Sequence, residues 1–350
     1  MAQSDKLSET ADAGTRPPTM ADVARLANVS TAAVSLFLSG RGERLKRVGA
    51  DAQLRIREAV ERLGYVQNQT ARHLRLQRTE RICVLLPQLG IPYADRIAQD
   101  VEAAAGRKGF STIVVTGHSI ETWQRVLGEV EAGLADGIIG DADGFTDEEL
   151  TELFGPQARF SKARLILHPN ADPAQFSVVN YDRLSALREA LEHLRTSGRK
   201  RLAYVQNTTH RANPRAAMVE AYAAEHRLEL DLVGCVEGAS RRETAAAATR
   251  QLLALPQPPD AILVESDFSA VTIIEELQRH GLRVPDDVAV IGCGNAEEGF
   301  YCNPRLTTIG PTEMSLAEAA EYLIEGITSQ ASQPHRRFLL PWTLIRRESA

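Results

Sequence analysis

Residues 19–40 read TMADVARLANVSTAAVSLFLSG, two short helical stretches with a sharp turn between them. Thr19 followed by Asp22 has the form of a capping box with aspartate as its acid. Val23, Leu26 and Ala27 then recur at helical spacing. Asn28 tolerates the left-handed conformation better than any residue except glycine, so it suits a turn. Ser30 is a good N-cap for the helix that follows. Wound at about 100° per residue, that second helix places Val34, Phe37 and Leu38 on a face fit for burial. Its opposite face carries Ala32 and Leu36, flanked by Ser35 and Ser39, so apolar groups are expected to point outward. After a longer loop, Ile56, Val60 and Leu63 mark a third helix that Gly64 is placed to end. Two short helices, a tight turn and a third helix make a helix-turn-helix arrangement.

Charge separates this head from the rest of the chain. The whole sequence of 350 residues carries a net charge of -6. Residues 1–78 hold 13 Lys and Arg against 8 Asp and Glu, a net of +5, which leaves 27 against 38, a net of -11, for the remainder. A basic head on an acidic body points to an anionic partner for the head alone. The first residues, MAQSDKLSETADAGTRPPT, contain no apolar stretch of the secretory kind. Residues 1–17 read as a disordered tail, polar and small in composition. No segment approaches the roughly 18 apolar residues of a membrane span, so no membrane partner is expected and a cytoplasmic location is. Cys83, Cys235, Cys293 and Cys302 are scattered without a C-x-x-C, as free thiols in a reducing compartment are.

The stretch at 19–40 and a second, RIREAVERLGYVQNQTARHLR at 55–75, together resemble the DNA-binding headpiece of the LacI/GalR family of bacterial transcriptional regulators. The matching residues include Met20, Asp22, Val23, Ala24, Ala27, Val29, Ser30, Val34 and Ser35, the Leu63-Gly64-Tyr65 ending, and Asn68, Ala71 and Leu74. The resemblance implies a helix-turn-helix domain over 18–66 and a hinge helix or linker over 67–78. It implies that residues 31–39 form the recognition helix and that a hinge leucine, here Leu74 beside Ala71, wedges into the minor groove. The DNA-contacting residues it implies are Thr19, Ser30, Thr31, Ala32, Ser35, Leu36, Arg44, Arg47, Tyr65, Asn68, Ala71 and Leu74. Where the family usually has a polar residue and often an arginine, this chain has Ala32 and Leu36. Neither makes bidentate hydrogen bonds to bases, but both can pack on thymine methyls. Arg44 and Arg47 lie in the loop GRGERLKRVG, where cations neutralise phosphates without reading sequence.

Beyond residue 80 the pattern alternates. RICVLLP, STIVVT, DGIIG and ARLILH read as buried strands with helical stretches between them, and a second series runs through RKRLAYVQ, DAILVES and DVAVIG. Strands alternating with helices predict parallel sheets covered on both faces. Two series predict two doubly wound α/β subdomains with a cleft at the carboxyl ends of their strands. The stretches DAILVESDFSAVTIIEELQRHGLRVPDDVAVIG and NPRLTTIG resemble the same family's effector domain, which is periplasmic-binding-protein-like. The expected subdomains are 80–196 with 311–333, and 197–310 with 334–350.

The resemblance also implies an effector site at Tyr93, Tyr181, Arg215, Asp267 and Asn295. Arg215 matches the arginine that relatives use for a ligand's hydroxyls or carboxylate, a task suited to a planar fork of donors. Asp267 matches the aspartate of an N-D pair whose asparagine is here Ser266. Gly292-Cys293-Gly294-Asn295 stands where sugar-binding members carry G-[FY]-D-D, and Tyr181-Asp182 stands where D-N is common. The acidic grip on an ordinary sugar is therefore missing. No H-E-x-x-H, G-x-S-x-G or Walker A sequence occurs, and the 8 histidines do not cluster. No cofactor, no metal and no catalytic residue is expected. The implied function is a homodimeric repressor that binds a near-palindromic double-stranded operator under the control of a small-molecule effector. A solute-binding protein without regulatory function, a regulator that has lost its effector, and an enzyme using the cleft stand as alternatives. The head motif opposes solute binding alone, and the lack of a catalytic constellation opposes the enzyme.

Overall fold

The computed structural model describes residues 16–38, 47–66, 78–155, 158–206, 213–234, 240–313, 315–329 and 333–350. Two units result, Met1–Gln77 and Arg78–Ala350.

The described part of the first unit is three helices: α1 (Met20–Ala27), α2 (Thr31–Leu38) and α3 (Ala50–Leu63). The expected capping box at the start of α1 forms. Asp22 N–H donates to Thr19 Oγ1 at 3.4 Å, and Thr19 N–H donates to Asp22 Oδ2 at 2.9 Å. The Thr19 side chain and backbone hold the Asp22 carboxyl below the usual carboxylate range. Asn28 ends α1 in the left-handed region at φ 51°, and α2 leaves at 108° to α1. The Ser30 hydroxyl caps α2 by accepting from Ala33 N–H at 3.1 Å, and Gly64 ends α3 at φ 58°. Val23, Ala27, Val34 and Ile56 are at or near 0–2% exposure, and they form one core with Ala24, Val48, Ala59 and Tyr65. A core this small holds only because each helix turns one apolar stripe inward.

In the second unit the strands are β1 (Arg81–Leu86), β2 (Ser111–Thr116), β3 (Gly137–Asp141), β4 (Ala163–Leu167), β5 (Ser177–Tyr181), β6 (Arg201–Val205), β7 (Glu229–Val233), β8 (Ala261–Val264), β9 (Ala289–Cys293), β10 (Thr307–Pro311), β11 (Arg337–Leu340) and β12 (Trp342–Ile345). The helices between them are α4 (Pro92–Arg107), α5 (Ile120–Glu131), α6 (Asp147–Phe154), α7 (Arg183–Thr196), α8 (Pro214–His226), α9 (Arg241–Leu253), α10 (Asp267–Arg279), α11 (Glu297–Tyr301) and α12 (Ala317–Ser329). One sheet runs β11-β5-β4-β3-β1-β2 and the other β12-β10-β9-β8-β6-β7. Every pairing is parallel except β10 with β12. The inner strands β1, β3, β5, β8 and β10 are almost wholly buried, as strands covered on both faces must be. The edge strands β2 and β7 are mostly not.

The chain crosses between the two sheets three times, and two crossings differ from the sequence expectation. Residues 183–196 are expected with the first subdomain, yet α7 packs on β12 and β10 of the second sheet. Residues 334–340 are expected with the second subdomain, yet β11 pairs in parallel with β5 of the first, Phe338 opposite Val179. The crossings therefore lie at Asp182, between β10 and α12, and at Pro341. An apolar helix face or a four-residue strand announces that it will be buried but not against which sheet. Both sheets share one continuous core cluster that includes Leu187 and Leu191 of α7, Ile309 of β10 and Phe338 of β11.

Candidate functional site

On the first unit, the residues expected to face DNA divide. Ser30, Thr31, Ala32 and Arg47 are exposed. Thr19 is also exposed, and its hydroxyl donates to Asp22 Oδ2 at 2.6 Å as part of the cap. Ser35 is half-buried. Leu36 is half-buried too and packs against the headpiece core, so the outward position expected for it is corrected to a partly inward one. On an eight-residue helix that lies across two others, the outward face is narrower than the helical wheel implies. Tyr65 is 9% exposed and belongs to the same core. Arg44, Asn68, Ala71 and Leu74 lie outside the described residues.

On the second unit, polar side chains gather where the strands of both sheets end, between the two subdomains. Asp141 closes β3, Tyr181 closes β5, Arg183 opens α7, Trp342 opens β12, Arg215 lies in the first turn of α8 and Glu265 follows β8. Arg183 ion-pairs with Asp143. Its guanidinium carbon lies 5.2 Å from the ring centre of Tyr93, 4.5 Å from that of Tyr181 and 4.7 Å from that of Trp342, within the range of cation–π attraction. Burial disfavours the Arg183 charge, yet Asp143 holds its pKa well above the ordinary value. Burial likewise opposes ionisation of Asp143, and the nearby guanidiniums of Arg183 and Arg215 override it and hold that carboxyl below its usual range. At Asp141 the pull of Arg183 is too weak to override burial. Burial and then the Asp143 charge push it up to about 7.

Across the cleft, Arg215 faces Glu265 at 3.6 Å. Asn213 caps α8 through bonds from Arg215 N–H and Ala216 N–H, and its amide donates to Glu265 Oε1 at 2.6 Å. Tyr204 Oη donates to the same oxygen at 3.0 Å. A further bridge joins the subdomains at the rim. With its amide oxygen turned to the guanidinium, Gln88 accepts from Arg241 at 3.0 and 3.2 Å. The cavity enclosed beside Arg215, Glu265 and Cys293 is about 10 Å³, close to the space of one water.

Of the five residues expected to hold an effector, Tyr93, Tyr181 and Arg215 meet in this cleft. Asp267 and Asn295 are corrected to internal fastenings. Asp267 Oδ1 accepts from Thr308 Oγ1 and its Oδ2 accepts from Ala296 N–H, each at 2.6 Å. Asn295, left-handed at φ 53°, donates to the Pro311 carbonyl at 2.8 Å and accepts from Arg347 Nη2 at 2.6 Å. Both side chains are thus already engaged at both ends by the protein's own groups. Sequence reasoning passed over Arg183, Asp143, Asp141, Glu265 and Trp342. The one signal that could have found Arg183 is its place next to Tyr181-Asp182, directly after a strand's carboxyl end. Among the described residues no group of three or more His, Cys, Asp or Glu is placed to hold a metal. No single helix among them is long and apolar enough to cross a membrane.

Residues 19–68 match the bacterial regulatory proteins of the lacI family, and residues 191–350 match the periplasmic binding protein-like domain. The chain is 27% identical over 332 residues to the HTH-type transcriptional repressor PurR of Vibrio campbellii, spanning 94% of this chain and 97% of that protein. It is 27% identical over 344 residues to the HTH-type transcriptional regulator CelR of Thermobifida fusca, spanning 95% and 98%. The fold matches that of the Lac repressor dimer bound to operator and the anti-inducer ONPF with a TM-score of 0.73 at 22% identity, over 95% of this chain and 99% of that one. A LacI-family regulator from Silicibacter pomeroyi matches with a TM-score of 0.77 at 18% identity, over 95% and 99%. Head and body together define the class, a DNA-binding transcriptional regulator with a periplasmic-binding-protein-like effector domain. Within that class its head is that of the LacI family of bacterial regulatory proteins, matched over residues 19–68.

Proposed function

We propose that this protein is a cytoplasmic homodimeric repressor that binds a near-palindromic operator and answers to a small molecule in the cleft between its two sheets. The observation that carries the reading is the 108° turn at Asn28, which leaves Thr31 and Ala32 exposed at the start of α2. A recognition helix enters the major groove with its N-terminal residues against the bases. Thr31 supplies a hydroxyl there, and Ala32 is small enough to let the backbone approach a thymine methyl. Exposed Arg47, together with Arg55, Arg57 and Arg62 on α3, supplies positive charge for phosphates. Arg44, Asn68, Ala71 and Leu74 complete the reading through the family resemblance alone.

Two heads related by a two-fold axis read two half-sites. The PurR and CytR relatives are repressors by name, and the Lac repressor was solved as a dimer on its operator, which supports the dimeric reading. In the body, three chain crossings form a hinge between subdomains whose cleft is lined by Tyr93, Tyr181 and Arg215. A ligand that favours one subdomain arrangement over the other changes DNA affinity by that difference, and DNA changes ligand affinity equally.

The test is selection of bound sequences from a random duplex pool, followed by titration of the winner over a salt series. One near-palindromic site bound tightly, with log affinity falling in log salt at about 0.9 per phosphate neutralised, is the expected result. Equal affinity for selected and bulk duplex overturns it.

A further inference from the structure

We infer that the cleft takes a small molecule bearing a carboxylate, which Arg183 and Arg215 hold in the place the Asp143 carboxylate now fills. The inference rests on reading the cleft as the effector site and names the chemistry that site selects. Two buried donors meet there without a hydrogen-bond partner among the described residues, Trp342 Nε1 and Arg183 Nε, beside the hydroxyls of Tyr93 and Tyr181. Tyr181 is 3% and Trp342 8% exposed, and all three rings surround one guanidinium. Each buried polar group left unpaired costs folding free energy. An indole N–H and a guanidinium N–H can only donate, and a phenol donates readily, so the partner this cluster lacks is an acceptor.

Arg215 stands near this cluster, its charge held up by Glu265 against burial. Its guanidinium meets Glu265 only at 3.6 Å, beyond hydrogen-bond length, and Glu265 Oε1 already accepts from Tyr204 and Asn213. Arg183 lies near enough to disfavour the Arg215 charge. An oxyanion can pair with both guanidiniums, and a planar carboxylate matches the fork of an arginine with two parallel bonds. Asp141, pushed up by burial, does not add a full second negative charge to that wall at neutral pH. Asp143 already occupies the acceptor position on Arg183, so the ligand cannot simply join the ion pair. It must displace Asp143 as the cleft opens. A neutral sugar brings no charge to offset the two arginines.

The test uses the full chain, with thermal shift and calorimetric titration against matched probes: glucose and gluconate, galactose and galacturonate, benzyl alcohol and benzoate, and inorganic phosphate. At least one carboxylate is expected to bind while its neutral partner does not. Arg215→Gln and Arg183→Gln should weaken it about a hundredfold, and Tyr181→Phe should weaken it less. Asp143→Asn removes the competitor and should tighten binding about tenfold, whereas an ion pair serving only the fold would give weaker binding. Arg183→Lys, which keeps the charge and loses the fork, covers the case in which Arg183→Gln does not fold. Neutral partners binding as well as acids, phosphate binding alone, or no probe acid binding to protein that still holds its selected operator would overturn the inference. Carboxylate binding with this variant pattern in protein that selects no DNA would instead overturn the regulatory reading and leave the inference standing.

Discussion

Asp267 accepts the Thr308 hydroxyl at 2.6 Å, and its second oxygen accepts Ala296 N–H at the same distance. One buried carboxylate therefore ties the start of α10 to β10 and to the turn after β9. Removing it leaves two buried donors unpaired and a small void. Asp267→Ala should cost the second unit about 2–4 kcal/mol, read by denaturant melting, without changing the affinity of any cleft ligand for the folded protein. A variant that melts like the parent but loses its ligand would return Asp267 to the binding site.

Asp141 is pushed up to about 7 and Asp267 to about 6, both chiefly by burial. Each folded pKa lies above the ordinary aspartate value, so the folded state binds these protons more tightly than the unfolded chain. The stabilisation is fully present below about pH 4 and is lost as pH rises through 6 and 7. Asp141→Asn keeps an oxygen to accept from Asp143 N–H, now made at 3.1 Å, and cannot ionise. It should raise the melting temperature more at pH 8 than at pH 5. An equal effect at both pH values would show that Asp141 does not titrate in this window.

In the head, exposure and packing separate two adjacent turns of α2. Ala32 is exposed, whereas Leu36 is half-buried against the core. Ala32→Gln should change which operator bases are preferred and leave the melting of the head unchanged. Leu36→Ala should lower head stability by about 1–2 kcal/mol and lower operator affinity with it. Operator selection on both variants, beside melting curves, distinguishes the two effects. Unchanged melting with lost base preference for Leu36→Ala would move that side chain to the DNA-facing side.

A Cβ on Gly292 would sit 2.2 Å from Asp267 Oδ1 and 2.8 Å from Leu306 Cδ2. The carboxylate is held by two hydrogen bonds and has nowhere to go. Gly292→Ala should therefore destabilise the second unit by about 1–3 kcal/mol. Combining it with Asp267→Ala should cost less than the sum of the two single changes, because the clash with the carboxylate then disappears while that with Leu306 remains. Strict additivity in the melting data would contradict this contact.

Asn28 holds φ 51° at the end of α1. Asn28→Gly should be close to neutral, while Asn28→Val should destabilise the head by about 1–2 kcal/mol, seen as a lower midpoint for loss of operator binding on heating. Equal midpoints for the two variants would show that the turn does not depend on the left-handed residue.

The cleft was only partly legible in the sequence. Arg215 could be noticed because Asn213 and Pro214 announce a helix start just after a strand, where ligands of such folds bind. Arg183 sits in an equivalent place, but its meaning depends on Asp143, 40 residues away, and on Trp342 from the last strand. Asp267 and Asn295 occupy motif positions and looked like ligand groups. Their partners, Thr308 at 41 residues and Arg347 at 52, are what make them structural.

What the sequence by itself determined is the head and the alternation of the body. Thr19 with Asp22, Asn28, Ser30 and Gly64 act within a few residues of themselves, and the buried runs of β1, β3 and β8 need only their own composition. Hydrogen bonds of that range are decided by local backbone geometry, so the residues that make them can be read in order along the chain. Only the tertiary structure decided that α7 joins the second sheet and β11 the first, and which cleft side chains already satisfy one another. Those outcomes depend on which apolar faces and which charges compete for the same partner, and that competition is settled only when distant segments are packed together.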